Sequence, residues 1–202
     1  MKTKLLLAIF TTVIATALYA SDSPPVGSAA PSFSATDSNG KTVSLADFKG
    51  KYVVLEWFNP ECPFVKKHYG GGNMQKLQQN FTSKGVTWLT IDSNAPGKEG
   101  SLKPEQANKT IADWKVHSTA LLLDTDGKVG KAYGAKNTPH MFVINPEGKV
   151  IYEGAIDSKA SPNPDDIPTS TNYVKVALDE SMAGKQVSTP SSRPYGCSVK
   201  YD

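Results

Sequence analysis

Two residues of this 202-residue chain carry a thiol, Cys62 and Cys197, and their settings differ. Cys62 sits in the stretch Trp57-Phe58-Asn59-Pro60-Glu61-Cys62-Pro63. Asn59-Pro60 signals a turn, and Pro63 suits the first position of a helix, where no backbone N–H is needed. Cys62 would then lie at a helix N-terminus. The unpaired N–H groups and the positive end of the helix dipole favour a thiolate there. A thiolate attacks disulfides and is the form that oxidises to sulfenic acid. A buried structural cysteine is the plainer alternative. The proline-flanked turn after an apolar strand favours a reactive one. Lys66, one helical turn on, adds positive potential if it faces the thiol; Lys66 and Lys67 equally suit a solvated helix face.

Several elements must position this cysteine. Tyr52 to Phe58 is apolar except for Glu56 and reads as a buried central strand. Pro31–Ala35 and Lys41–Leu45 flank Asn39-Gly40 and predict an N-terminal hairpin. The helix after Cys62 should break at Gly70-Gly71-Gly72, with Asn73 capping a second piece whose face is Met74, Leu77 and Phe81. That glycine run lacks the spacing of a phosphate loop. Val86–Ile91 predicts a strand. Pro104 opens a helix with Ala107, Ile111 and Trp114 on one face. Ala120–Leu123 is a short strand stopped by Asp124-Thr125-Asp126-Gly127. Met141–Ile144 and Val150–Glu153 form a hairpin; 158–170 is a Pro/Asp-rich loop; Val174, Leu178 and Met182 mark a last helix. Strands alternating with helices give an α/β sandwich with a mixed central sheet.

Lys2 and Lys4 precede the apolar run Leu5–Leu18, and Ala17 and Ala20 offer cleavage points, so residues 1–20 read as a secretory signal peptide. Residues 21–30 form a Pro/Ser-rich leader expected to be mobile, 31–184 one domain, and 185–202 a tail carrying Cys197. Export to a periplasmic or extracellular space follows, and no later stretch is long enough to span a membrane. Formal charge is +3, about +1 without Lys2 and Lys4, and the charges are scattered, which argues against nucleic acid. Two cysteines are too few for a disulfide framework but permit one bond in an exported chain.

The element order, with Trp57–Pro63 and Thr138-Pro139, resembles the thioredoxin-like fold, and within it the peroxiredoxin-like redoxins of the alkyl hydroperoxide reductase/thiol-specific antioxidant family. The resemblance spans about 31–184; the tail motif Tyr195-Gly196-Cys197-Ser198-Val199-Lys200-Tyr201 resembles the ends of such proteins. It implies that Cys62 matches the first cysteine of a Cys-x-x-Cys pair whose second position is Val65, so Cys197 alone remains as a resolving partner. It implies that Thr138-Pro139 carries a cis bond beside the active cysteine and leaves the preceding backbone free to pair with an extended substrate. Glu56 matches a buried acid that could exchange protons with the departing thiolate. Trp57, Asn59, Pro63 and Lys66 complete the expected substrate-binding set. The peroxidase pattern is incomplete: Leu55 and Asn59 stand where Pro and Thr/Ser are expected, and the one arginine is Arg193, in the tail.

The leading expectation is thus an exported thiol–disulfide oxidoreductase. Its partners are a thiol–disulfide protein or a small oxidised thiol and an external thiol reductant. A slow thiol peroxidase is the second enzymatic possibility. A copper chaperone or a non-catalytic redoxin-fold binding protein are the others. His68 and His140 could join the cysteines in a soft metal site, but their spacing fits no ligand pattern, so neither metal nor cofactor is expected.

Overall fold

The computed structural model describes residues 23–202; the signal-peptide reading of 1–20 lies outside them. Strand β3 (Val53–Trp57) is the hub: all five residues are buried. It pairs in parallel with β4 (Thr87–Asp92), from Val53↔Thr87 to Trp57↔Ile91. It pairs antiparallel with β7 (His140–Ile144), from Val53↔Ile144 to Trp57↔His140. Pairing on both edges and helices on both faces explain the near-unbroken apolar run. β1 (Ser34–Asp37), β2 (Thr42–Ser44), β5 (Ala120–Leu123) and β8 (Val150–Gly154) complete a mixed seven-stranded sheet of order β2-β1-β5-β4-β3-β7-β8.

Strand alternation sends Val54 and Phe58 into one core with Val65, Tyr69, Phe81, Trp88 and Leu178, and sends Val53, Leu55 and Trp57 into a second with Ile91, Tyr133 and Phe142. Cys62 belongs to the first core. Helices α1 (Pro63–Gly70), α2 (Asn73–Thr82) and α3 (Pro104–Asp113) form the crossovers around β4, and α5 (Tyr173–Met182) packs against β7 and β8. The expected break between α1 and α2 is there: Gly72 adopts φ +73° and is itself the N-cap. Asn73 therefore lies inside α2, not at its cap, and its amide meets His68 Nδ1 at 2.9 Å.

Three features were not expected. A five-residue helix, α4 (Lys128–Ala132), follows the Asp124 turn, held by hydrogen bonds from the Val129 and Gly130 N–H groups to the Asp124 carboxylate. The loop 158–170 contains a 3-10 turn over Pro164–Thr169. The leader is tied down where described: Val150 N–H donates to Ser28 O at 3.0 Å and Gly27 N–H to Val150 O at 2.7 Å. Of the last helix's expected face, Val174 and Leu178 are buried while Met182 is 38% exposed. None of the described helices is long and apolar enough to cross a membrane.

Candidate active site

The turn after β3 delivers Cys62. The Asn59 side chain accepts from Glu61 N–H at 2.7 Å, and its carbonyl accepts from Cys62 N–H at 3.1 Å. Cys62 is extended (φ −69°, ψ 122°) as the N-cap of α1, with Pro63 at the first helical position. Its carbonyl accepts from Lys66 N–H at 2.9 Å. The Cys62 side chain is wholly buried, and its thiol donates to the Thr138 carbonyl at 3.1 Å. The Thr138–Pro139 peptide is cis.

The tail completes the site. A two-residue strand, β9 (Cys197–Ser198), lies antiparallel to β6 (Asn137–Thr138), with Thr138 opposite Cys197. The backbone edge before Pro139 is therefore occupied by the chain's own tail. Asn137 Nδ2 donates to Gly196 O at 3.0 Å, and Val199 N–H to Lys136 O at 3.0 Å. Val199 is buried in the second core, and Tyr201 packs on it with its hydroxyl donating to Ala135 O at 2.8 Å. Upstream, Tyr195 stacks 5.7 Å from Phe64.

Both thiols are free, Cys62 buried and Cys197 half-buried. The two thiols act on each other, and this splits their acidities. Burial pushes Cys62 up, but hydrogen bonds from the Cys197 thiol, Thr138 and the Cys197 and Val65 backbones outweigh it and hold Cys62 below the ordinary thiol value. Cys197 is pushed up to about 12, first by burial, then by its bond to Cys62 and the charge there. Of the two, Cys62 is therefore the thiol that ionises first, and Cys197 the one that keeps its proton.

Glu56 is fully buried with four hydrogen-bond donors: Tyr69 (2.9 Å), Gln78 (3.1 Å), Trp88 Nε1 (2.8 Å) and Thr90 (3.4 Å). Burial raises its pKa from 4.5 to about 7 against the pull of those donors. The folded protein thus keeps a proton that the unfolded chain loses above pH 4.5. Stability from this group is full below 4.5 and is lost as pH rises towards 7, roughly 3 kcal/mol in all. Glu56→Gln should accordingly gain roughly 3 kcal/mol on wild type between pH 4 and 8 in urea unfolding. A pH-independent difference would show that Glu56 does not titrate there.

The remaining expected site residues are placed as follows. Trp57 is wholly buried on the second core, its indole donating to Ser93 Oγ at 3.0 Å. Asn59 is buried, its amide spent on the turn and on Glu99 O at 3.4 Å. Pro63 is exposed. Lys66 is exposed and reaches Glu61 at 3.3 Å. His68 and His140 each face a carboxylate, Asp157 (3.7 Å) and Glu153 (3.4 Å). Among the described residues, no three His, Cys, Asp or Glu side chains are grouped to hold a metal ion.

A cluster that joins α1 to the tail went unread in the sequence. Lys67, far from being solvated, is buried, with Nζ 3.2 Å from Asp157 Oδ2 and 3.0 Å from Lys159 O. The Tyr195 hydroxyl donates to the other Asp157 oxygen. Burial lowers the His68 pKa to about 4, so His68 is neutral here at physiological pH. The Lys67–Asp157 pair thereby anchors the tail two residues before Cys197. The signal was the spacing of Phe64, Lys67 and His68 on one face of α1.

The AhpC/TSA family model matches residues 26–153. The thiol–disulfide oxidoreductase ResA of Bacillus subtilis is 34% identical over 125 residues, 62% of this chain and 64% of that protein, so the match spans just under two thirds of that relative's length. The crystal structure of an uncharacterized conserved protein from Geobacillus kaustophilus superposes with a TM-score of 0.75 at 28% identity, covering 88% of this chain and 93% of that one. The thioredoxin domain of a thiol–disulfide oxidoreductase from Bacteroides vulgatus gives 0.51 at 28% identity, over 73% and 98%. The fold is thioredoxin-like, a mixed sheet with flanking helices, and the chain belongs to the AhpC/TSA family of redox proteins.

Proposed function

We propose that this protein is an exported oxidoreductase of the thioredoxin type that exchanges thiols and disulfides through Cys62, with Cys197 as the distant resolving cysteine. The observation that carries the reading is the pairing of Thr138 with Cys197, which sets the only second thiol against Cys62. The Cys62 thiolate attacks one sulfur of a disulfide, in a partner protein or a small oxidised thiol, forms a mixed disulfide with it and expels the other sulfur as a thiolate. Cys197 then gives up its proton and attacks the Cys62 sulfur, which releases the substrate thiol and leaves a Cys62–Cys197 bond. An external thiol reductant restores the pair. Because Tyr195–Ser198 covers the edge at Thr138, a protein substrate reaches Cys62 when that segment lifts. The short strand pair, two residues long, suits such movement. Thr138 and Pro139 frame the thiol. Asn59 and Pro63 position it, and protonated Glu56 is a proton reserve in the same core. Export rests on the signal-like N-terminus.

The test is a Cys197→Ser variant given a peptide disulfide. It should accumulate the mixed disulfide on Cys62 and stop after one turnover, and Cys62→Ser should form none. Turnover by Cys197→Ser equal to wild type would remove the resolving role. Peroxide should oxidise Cys62 slowly, since Leu55 replaces the expected proline, the turn-bound Asn59 offers no hydroxyl and Arg193 is exposed in the tail.

A further inference from the structure

The two sulfurs of the proposed pair are not equivalent from outside, and the difference assigns the return half of the cycle. Cys62 is wholly buried: Thr138 O lies 3.1 Å from its sulfur, and the sulfur sits in the first core with Phe58 and Val65. Cys197 is half-buried, between half-buried Gly196 and exposed Ser198. It stands on the terminal strand of a two-stranded sheet, so the outer edge of β9 carries no strand. The segments on either side are held, Tyr195 by Asp157 and Val199 by Lys136 O and the second core. The tail thus leaves Cys197 half-exposed at the rim of the first core while keeping Cys62 beneath it.

We infer that a dithiol reductant opens the Cys62–Cys197 disulfide by attacking the sulfur of Cys197, so that electrons enter through the tail strand and not through the helix-capping cysteine. This rests on the proposed exchange cycle. In the step, one thiolate of the dithiol bonds to Cys197 Sγ as the Cys62–Cys197 bond breaks, and Cys62 departs as a thiolate. The dithiol's second thiolate then attacks its own first sulfur, forms the reductant's internal disulfide and expels Cys197, which takes a proton from water. The reductant loses two electrons and the protein gains two.

Access and leaving-group chemistry agree on this direction. An incoming thiolate prefers the sulfur it can reach and the bond whose departing thiol is the more acidic. Attack at Cys197 expels Cys62, whose departing thiolate is received by the Thr138 hydroxyl and by the Cys197 and Val65 N–H groups. Attack at Cys62 would expel Cys197, the far weaker acid of the two. The two halves of the cycle therefore use different sulfurs for one reason: Cys62 is the better thiolate, as nucleophile outward and as leaving group inward.

The experiment uses the full oxidised chain and glutathione as a monothiol probe, which cannot complete the second step. After millisecond mixing and acid quench, peptide mass spectrometry locates the adduct. The adduct is expected on Cys197 in at least about tenfold excess over Cys62. Equal or greater labelling of Cys62 overturns the inference. Dithiothreitol in a parallel arm separates the two claims. If dithiothreitol reduces the bond while glutathione lands on Cys62, exchange stands and entry through Cys197 falls. If neither thiol opens the bond, the exchange cycle itself falls and entry through Cys197 falls with it.

Discussion

Replacing Asp157 by Ala is expected to destabilise the protein by about 3–5 kcal/mol and to free the tail. The Lys67 ammonium and the Asp157 carboxylate are both fully buried, 3.2 Å apart. Without the carboxylate, Lys67 keeps the Lys159 carbonyl at 3.0 Å and the face of the Tyr195 ring but no counter-charge, and the Tyr195 hydroxyl loses its acceptor. An uncompensated buried charge is the reason for the size of the effect, since a pair replaced as a whole by apolar residues is often neutral. A Lys67→Met/Asp157→Leu double variant should therefore recover most of the loss. Urea unfolding measures both. A loss below about 1 kcal/mol for Asp157→Ala would mean that water already reaches Lys67. The pair also sets an acid limit. Burial pushes the Asp157 carboxyl up, yet Tyr195, the Lys159 N–H, His68 and Lys67 together hold it below its usual value. Its stabilising contribution is present above the ordinary carboxylate range and is lost as pH falls through the lowered value.

Gly196→Ala should detach the tail without unfolding the domain. Gly196 has φ +123°, and a Cβ there would sit 2.1 Å from the Thr138 carbonyl oxygen. Backbone cannot yield that far, so β9 must leave β6. The positive φ alone costs about 1–3 kcal/mol for a residue with a side chain, enough to lower the docking equilibrium roughly fivefold or more. Formation of the Cys62–Cys197 bond by oxidised glutathione should slow by at least that factor, while the unfolding midpoint of the sheet domain changes little. The exposed Ser198→Ala is the control, expected to form the bond at the wild-type rate. An unchanged rate in Gly196→Ala would show that the thiols meet without the β6–β9 pairing.

Periodicity made most of the sheet and the helices legible. β3, β4 and β7 are buried runs of β-branched and aromatic residues, and the Gly70–Gly72 break and the Pro63 helix start follow from backbone chemistry alone. What escaped depends on contacts distant in sequence. α4 contains a glycine and only five residues, and a carboxylate four residues upstream caps it. Whether Lys67 is solvated stayed open in the sequence because its partner is 90 residues away. The leader looked mobile by composition, yet pairs with the backbone of Val150. The thiol pair was foreseeable as the only pair available, but not the way in which it is built: the tail enters as a strand opposite Thr138 and shields Cys62. Trp57 was expected near the substrate, but strand alternation turns it to the opposite face of the sheet.

The most direct test of a redox-active Cys62–Cys197 pair is its equilibrium with a graded glutathione or dithiothreitol buffer, read by mass spectrometry after acid quench and alkylation. One reversible two-electron transition is expected, between about −300 and −120 mV, the range of exchange-active dithiols. Retention of the bond below about −300 mV would mark a structural staple, and failure to form it at any poise would leave Cys197 without the resolving role.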